Sequence, residues 1–266
     1  MLYPRLIPSL LVNSDRELVK TTYFENANYI GDPLNAAYIF SNFEVDELLV
    51  LDIDASKQER CIPLDFVESI SNFTKVPLTI GGGIKDLNQI HDILSLGVER
   101  IAISSILSKN FEILNQASTM YGSSSISVII NAYINKRGDF VGIFGRPDIS
   151  KKHYPINEIS YLCQENGAGE IIINCINREG TRKGFNINLM QSLNETLSIP
   201  LVALGGCGKI DHINELIKKT PISGISCGTF FVYANESSQV LLNYEPTAKW
   251  LKDNFKEFKE IYKNEF

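Results

Sequence analysis

The sequence predicts an α/β fold, a (β/α)8 (TIM) barrel built from two repeated half-barrels within a single domain, residues 1–266. Eight short apolar runs rich in β-branched residues alternate with amphipathic helical patterns, and motifs of the first half recur in the second. Near-continuous apolar strands that alternate with helices are typical of a parallel sheet covered by helices. Eight such strands favour a closed barrel, because an open sheet of that size would need protected edges.

The predicted strands are spaced along most of the chain. In order they are Leu6–Val12, Leu48–Ile53, Pro77–Ile80, Arg100–Ser104, Ile126–Ala132, Glu170–Ile176, Pro200–Leu204 and Ser223–Ser226. Residues 133–155 are polar with scattered glycines, which predicts an inserted hairpin or lid after the fifth strand. The last predicted element is an amphipathic helix over residues 244–263, with Trp250 on its packing side.

Motifs of the two halves match at one constant offset of 123 positions (170 − 47, 200 − 77 and 205 − 82). The matching pairs are Glu47 with Glu170, Pro77 with Pro200, and Gly82 with Gly205. Self-similarity at a fixed offset across separate elements indicates an internal repeat. It predicts half-barrels of approximately 1–122 and 123–240, with two-fold related sites on one face.

The composition excludes several classes of protein. A net charge of −6 argues against nucleic-acid binding, which needs a basic surface. The five cysteines form no CxxC pair, so we expect reduced thiols in a cytoplasmic protein and no metal site or disulfide framework. The N-terminal apolar run is too short to span a bilayer, so no membrane segment is expected. No cofactor is indicated either.

Small and hydroxyl residues follow the third, fourth, seventh and eighth strands. These residues are Gly82, Gly83, Ser104, Ser105, Gly205, Gly206, Gly228 and Thr229. Glycine lets the backbone approach a ligand closely, and free N–H groups there bind anions. We therefore predict one phosphate site in each half. The alternative is that these glycines only make tight turns, but two copies in register favour phosphate.

Four charged residues stand at the opposite, N-terminal ends of the strands: Arg5, Glu47, Arg100 and Glu170. In a barrel they would meet in a ring at the bottom of the bore, where buried charges must pair. A stabilising ion-pair plug is the simpler interpretation, and these residues alone favour it.

Six segments in order resemble the HisF family, the cyclase subunit of imidazole glycerol phosphate synthase. They are RLIPSLLV, FENANYIGDP, DELLVLDIDAS, PLTIGGGI, GAGEIIINCINREGTRKGF and GGCGK, and they cover nearly the whole chain. The resemblance implies a glutaminase (HisH-like) partner at the N-terminal barrel face. Ammonia from this partner would travel up the bore to a phosphorylated small molecule held by its two phosphates.

The resemblance assigns roles to individual positions. It implies an ammonia gate at Arg5, Glu47, Arg100 and Glu170, with arginine at position 100 where the family has lysine. The resemblance therefore favours the gate over the ion-pair plug as the interpretation of these four residues. The resemblance also adds Gly180 to the residues predicted to contact phosphate. A lysine of the first loop falls at Lys20.

The family's two catalytic aspartates fall at Leu11 and Asn131, which cannot act as a general acid and base at neutral pH. Aspartates of the strand-six motif fall at Asn177 and Glu179. The remaining candidates for catalysis are Lys20, Asp52, Asp54 and Glu179, although Asp52 could equally well only orient loops.

Three functions follow from this combination. The chain looks like a divergent HisF-like branch associated with sugar amidation, in which a separate amidotransferase is a further partner. The first alternative is a genuine cyclase (lyase) of histidine biosynthesis. The second is a non-catalytic barrel that binds the ligand and activates the glutaminase.

Overall fold

A computed structural model describes residues 4–148, 150–234 and 239–242. The predicted helix over residues 244–263 lies outside the described residues. The strands are β1 (Arg5–Val12), β2 (Leu18–Thr22), β3 (Glu25–Gly31), β4 (Leu48–Asp52), β5 (Leu78–Gly81), β6 (Arg100–Ile103), β7 (Ile126–Ile134), β8 (Phe140–Ile143), β9 (Tyr154–Pro155), β10 (Glu170–Cys175), β11 (Leu201–Leu204) and β12 (Gly224–Cys227). The helices are α1 (Pro33–Asn42), α2 (Leu64–Phe73), α3 (Leu87–Ser95), α4 (Glu112–Tyr121), α5 (Ile156–Glu165), α6 (Ile187–Asn194), α7 (Ile210–Lys219) and α8 (Thr229–Val232).

Eight parallel strands close into a barrel, as the sequence predicts. The strand order is β10-β11-β12-β1-β4-β5-β6-β7, and pairing of β7 with β10 completes the circle. Each predicted strand matches an observed one to within two residues at either end. Four barrel strands fall in each proposed half, while the half-barrel division itself stays a prediction.

A hairpin of β2 and β3 stands on β1 at the C-terminal face, and the sequence does not predict it. β2 pairs antiparallel with β1 and with β3. The two turn residues, Tyr23 and Phe24, have φ of 55° and 65°. A two-residue hairpin turn with both φ positive is normally made by Asn-Gly or Asp-Gly. A Tyr-Phe turn lacks that pattern, so tertiary contacts must hold it.

The insertion contains the predicted hairpin. β8 pairs antiparallel with the end of β7. The Asn135 side chain makes the turn, because its Oδ1 accepts hydrogen bonds from the backbone N–H groups of Arg137 (2.8 Å) and Asp139 (3.0 Å). Gly138 in this turn has φ of 90°. The insertion thus rises from β7 beside the C-terminal mouth of the barrel.

Helix starts follow ordinary capping chemistry. The Asp32 side chain accepts from the N–H of Asn35, and Pro33 occupies the first turn of α1. The Asp86 side chain caps α3 in the same way by accepting from the N–H of Gln89. These caps satisfy backbone N–H groups that have no partner within the first turn of each helix.

The apolar residues form two separate layers. The larger layer lies between the strands and the helices, where Phe40 of α1 meets Phe231 of α8 edge to face with ring centroids 6.1 Å apart. The smaller layer comprises the side chains that fill the bore: Ile7, Leu49, Ala102, Ile129, Ile172, Val202 and Leu204. Alternation along the strands sends each neighbouring residue to the other layer. The middle of the bore is therefore apolar.

None of the helices in the described ranges is long and apolar enough to cross a membrane. All five cysteines are free thiols.

Replacing Phe40 with alanine should lower the free energy of unfolding by about 3–5 kcal/mol, because it leaves a cavity between the barrel and its helices. Urea denaturation measures this change. Phe73→Ala is the matched control, since Phe73 ends α2 with 49% of its surface exposed, and it should change stability by less than about 0.5 kcal/mol. Equal losses in the two variants would contradict the layer assignment.

Candidate functional site

A cavity of about 150 Å³ opens at the C-terminal mouth of the barrel. We call it the mouth cavity. It brings together every predicted catalytic or phosphate-binding residue except Asp54: Leu11, Lys20, Asp52, Gly82, Gly83, Ser104, Ser105, Asn131, Glu179, Gly180, Gly205, Gly206, Gly228 and Thr229. Their convergence follows from strand polarity, because the carboxyl ends of all eight parallel strands meet at this face.

The two glycine pairs line the cavity on backbone conformations that other residues rarely adopt. Gly82 and Gly83 have φ of 144° and 63°, and Gly205 and Gly206 have φ of 93° and 107°. A Cβ on Gly83 would also collide with the carbonyl oxygen of Arg60. Backbone geometry therefore explains why glycine stands here, and the anion sites remain a prediction.

The two serines after β6 play different parts. The Ser104 hydroxyl donates to the carbonyl of Ile129 (2.7 Å) and accepts from the N–H of Gly145 (2.8 Å). The Ser104 hydroxyl therefore links the end of β6 to the insertion, and its predicted contact with phosphate stays a prediction. Ser105 Oγ lies 3.0 Å from Ser56 Oγ, and both serines line the mouth cavity.

Lys20 lies on strand β2, whereas the sequence places it on a loop. Its side chain is buried, and Nζ donates to the carbonyl of Ser9 at 2.5 Å. Burial lowers the pKa of Lys20 to about 8, although the neighbouring Glu179 and Cys227 favour its charged form. A Cβ on Gly228 would collide with this amine. A readily titrated cation therefore stands beside the Gly228 end of the cavity.

Two candidate carboxylates organise loops. Asp52 Oδ1 accepts from the N–H groups of Asp54 (3.1 Å) and Ala55 (2.9 Å), and it also pairs with Arg60 Nη2 (3.2 Å). Asp54 Oδ2 accepts from the N–H of Ser14 at 3.0 Å. The interpretation of Asp52 as a loop-orienting residue fits this geometry. Asp54 is not among the residues that line the mouth cavity, and its carboxylate links the loop after β4 to the loop after β1, so its role as a catalytic candidate stays a prediction.

Glu179 fastens the unpredicted hairpin over the mouth. Its carboxylate accepts from Thr21 Oγ1 (2.8 Å) and from the N–H of Phe24 (3.0 Å), while its carbonyl accepts from the N–H of Tyr23 (3.3 Å). These contacts supply the tertiary support that the Tyr23-Phe24 turn needs. Glu179 lines the cavity as predicted, with both carboxylate oxygens already hydrogen-bonded.

Two amides occupy the centre of the mouth. Asn131 Oδ1 accepts from Asn174 Nδ2 at 2.9 Å, and Asn131 Nδ2 donates to the carbonyl of Gly145 at 2.7 Å. Asn174 Oδ1 is buried and receives no hydrogen bond from any residue in the described part of the chain. The sequence-based predictions did not include Asn174. A signal existed, because β7 and β10 both contain an Ile-Asn step, and the two asparagines are paired in register.

At the opposite end of the barrel the four predicted charges meet. Arg5 donates to both Glu47 and Glu170, and Arg100 Nη1 donates to Glu47 Oε2 at 3.1 Å. The contacts run as a chain, Arg100 to Glu47 to Arg5 to Glu170. We call these four residues the basal ion-pair cluster.

Hydroxyl groups complete the basal ion-pair cluster. Thr79 Oγ1 donates to Glu47 Oε1 at 2.6 Å, and Ser127 Oγ donates to Glu170 Oε1 at 3.1 Å. Burial raises the pKa of Glu47, an effect that Arg5 opposes. Burial alone would lower the pKa of Arg5, but Glu170 and Glu47 together raise it above its usual value. Arg5 is thus the shared cation on which both carboxylates depend.

Arg146 joins the insertion to the first hairpin above the cavity. Its Nη2 donates to the carbonyl of Phe24 (3.2 Å), Nη1 donates to that of Ile53 (3.4 Å), and Nε pairs with Asp148 (3.0 Å). An arginine in a polar insertion gives no sequence pattern that predicts this bridge. The described residues contain no group of three metal-ligating side chains.

The sequence matches the model of the family described as histidine biosynthesis protein over residues 5–237. A protein of Leptospira borgpetersenii, provisionally named imidazole glycerol phosphate synthase subunit HisF, is 41% identical over 92% of this chain and 96% of its own length. A protein of Clostridium botulinum named imidazole glycerol phosphate synthase subunit HisF is 31% identical over the same shares.

Lys20 should titrate near pH 8, well below its ordinary value of 10.5, because its amine is buried. Lysine side-chain NMR measures this pKa, with exposed Lys218 as an internal control. Between these two pH values the unfolded chain holds the proton and the folded chain does not, so stability should rise with pH. Lys20→Met should flatten that rise. An ordinary lysine pKa would contradict the buried placement.

Proposed function

This chain belongs to the histidine biosynthesis protein family, among the HisF-like synthase subunits, and we propose that it delivers ammonia to a phosphorylated ligand. A partner glutaminase would release ammonia at the N-terminal barrel face. The ammonia would pass through the bore to the mouth cavity, where the chain binds a bis-phosphate-type ligand and supports amidation of a sugar. A separate amidotransferase would complete the transfer.

The bore supports passage of a neutral molecule. Between the basal ion-pair cluster and the mouth it is lined by apolar side chains such as Ile7, Ile129 and Ile172. Such a layer penalises the ammonium ion by desolvation, whereas ammonia carries no charge. Arg5 keeps 25% of its side chain exposed, so the cluster meets solvent at the face proposed for the glutaminase.

The mouth supports two anion sites. Gly82, Gly83 and Ser105 line one side of the cavity, and Gly206 with Gly228 lines the other. The second side has the Lys20 amine beside it, and the first has the paired Ser56 and Ser105 hydroxyls. Both sets fit phosphate groups at the two ends of one ligand.

The observation that carries the proposal is the neutral centre of this mouth. Leu11 and Asn131 stand where the family resemblance implies a general acid and base, and Asn131 accepts a hydrogen bond from Asn174. An amide does not transfer protons at neutral pH, and leucine has no proton to give. The unpartnered Asn174 Oδ1 suits an N–H donor such as ammonia at the outlet of the bore.

A genuine cyclase is the second candidate, favoured by Lys20, whose pKa of about 8 suits proton transfer. The rate at which the chain turns over the family's ribulosyl substrate distinguishes a genuine cyclase from the ammonia-delivering subunit. A third candidate, the non-catalytic barrel, would stimulate the glutaminase when ligand binds and leave the ligand unchanged. Analysis of the ligand after incubation with glutamine and the complex separates that case.

The isolated chain should cyclise the family's ribulosyl substrate with ammonium salt at least about 10²-fold more slowly than an ordinary cyclase, because it lacks the acid/base pair. Replacing both positions (Leu11→Asp with Asn131→Asp) should raise the rate. The matched control is Leu11→Asn with Asn131 retained, which adds a polar group of similar size that cannot titrate near neutral pH. Wild-type turnover within about tenfold of an ordinary cyclase would instead establish the genuine cyclase.

Arg5→Lys should change the ratio of glutamine-driven to ammonium-driven product formation while the barrel stays folded. Lysine keeps the charge but lacks the planar fork that reaches Glu47 and Glu170 together. The ratio is measured in the Leu11→Asp, Asn131→Asp background, so that cyclisation supplies the readout.

Arg16→Lys is the control for this experiment, because Arg16 pairs with the exposed carboxylate of Asp65, outside the basal ion-pair cluster. An unchanged ratio in a folded Arg5 variant that still binds the glutaminase would leave the basal ion-pair cluster with a structural role alone.

A further inference from the structure

A second cavity of about 640 Å³ adjoins the mouth cavity, and the proposed function does not use it. The two cavities share Ser56, Gly83, Ser105, Gly145 and Arg146. The second one therefore opens outward from the Gly83–Ser105 anion site. Its remaining wall comes from the loops after β4, β5 and β6 and from residues 150–152 of the insertion.

The wall of this cavity is strongly basic. Its cations are Lys57, Lys85, Lys109, Arg146, Lys151 and Lys152, and its one carboxylate is Glu59. The lining thus carries a net charge of +5 in a chain whose total is −6, so the rest of the sequence carries −11. We call this region the lysine cleft.

The positive charge of the lysine cleft is largely uncompensated. Arg146 pairs with Asp148, but within the described ranges none of the five lysines has a carboxylate within ion-pair distance. Lys152 Nζ instead donates to the carbonyl of Ser108 (3.1 Å), and Lys85 Nζ donates to that of Glu59. Clustered ammonium groups repel one another, and a bound polyanion removes that repulsion.

We propose that the lysine cleft binds the second phosphate of a diphosphate group, whose first phosphate occupies the Gly83–Ser105 site. The proposal rests on the proposed function for that first phosphate. At the opposite, Gly228 end the described residues that line the mouth cavity include one cation, Lys20, and its amine lies against the glycine. The ligand is therefore asymmetric, with a diphosphate at the insertion side and a single phosphate at the other end.

Shape favours a small molecule over an acidic protein surface. The lysine cleft is concave and continuous with the mouth cavity. Where the two meet lie the Ser56 and Ser105 hydroxyls, 3.0 Å apart, and Gly83, whose φ is 63°. Hydroxyl and backbone N–H donors at the floor with ammonium groups at the rim suit adjacent phosphates, which accept hydrogen bonds and carry charge.

Calorimetric titration at constant ionic strength tests the proposal with inorganic pyrophosphate and orthophosphate as probes. Wild-type protein should bind pyrophosphate at least about tenfold more tightly than orthophosphate, and Lys109→Ala with Lys152→Ala should abolish that preference. The control, Lys75→Ala with Lys218→Ala, removes two exposed lysines outside the cleft and should keep the preference. Equal affinity for the two probes in wild type, or an equal loss in the control, would overturn the proposal.

A pyrophosphate-soaked crystal separates this proposal from the proposed function. Density that spans Ser105 and the lysines supports the lysine cleft. Density there with none beside Gly206 and Gly228 contradicts the single phosphate that the proposed function places at the Gly206–Gly228 end, and it leaves the lysine cleft intact. Density only beside Gly206 and Gly228 overturns the lysine cleft and leaves the second anion site of the proposed function.

Discussion

The pairing of β7 with β10 is the constraint on which the rest of the structure depends. It joins the two ends of an open parallel sheet, so that each of the eight barrel strands is paired on both sides and all eight carboxyl ends surround one mouth. The same pairing sets Asn131 directly opposite Asn174, and their side chains meet at the centre of that mouth. Closure therefore brings the residues of the mouth cavity together and places this amide pair at one register position.

The two ends of the bore solve the problem of buried polarity differently. At the N-terminal end Arg5 serves two carboxylates, and Thr79 and Ser127 supply the remaining donors, so charge is held by a fully bonded cluster. At the centre of the C-terminal mouth stand two neutral amides, and one acceptor on Asn174 is left without a donor in the described residues. The apolar middle separates these environments, as the proposed passage of ammonia requires.

The eight barrel strands could be predicted because each is a short apolar run whose pattern is independent of distant residues. The first hairpin could not, because its Tyr23-Phe24 turn adopts positive φ without glycine or asparagine and depends on Glu179, more than 150 positions away. The same holds for Asp54 and Ser104, whose side chains are engaged by partners that only folding brings near.

By itself the sequence determined the barrel and placed charged residues at one end of its strands and small or hydroxyl residues at the other, because these follow from local pattern and residue identity. Its prediction that the acid/base pair is missing rests likewise on residue identity, at Leu11 and Asn131. Tertiary structure alone decided which polar side chains remain available to a ligand. It buries Lys20 on a strand, and this burial lowers the pKa of the amine. It engages the Glu179 carboxylate in a hydrogen bond to the β2–β3 hairpin, and it brings lysines from separate loops together in the lysine cleft. Those outcomes depend on distances between loops, which no single stretch of sequence contains.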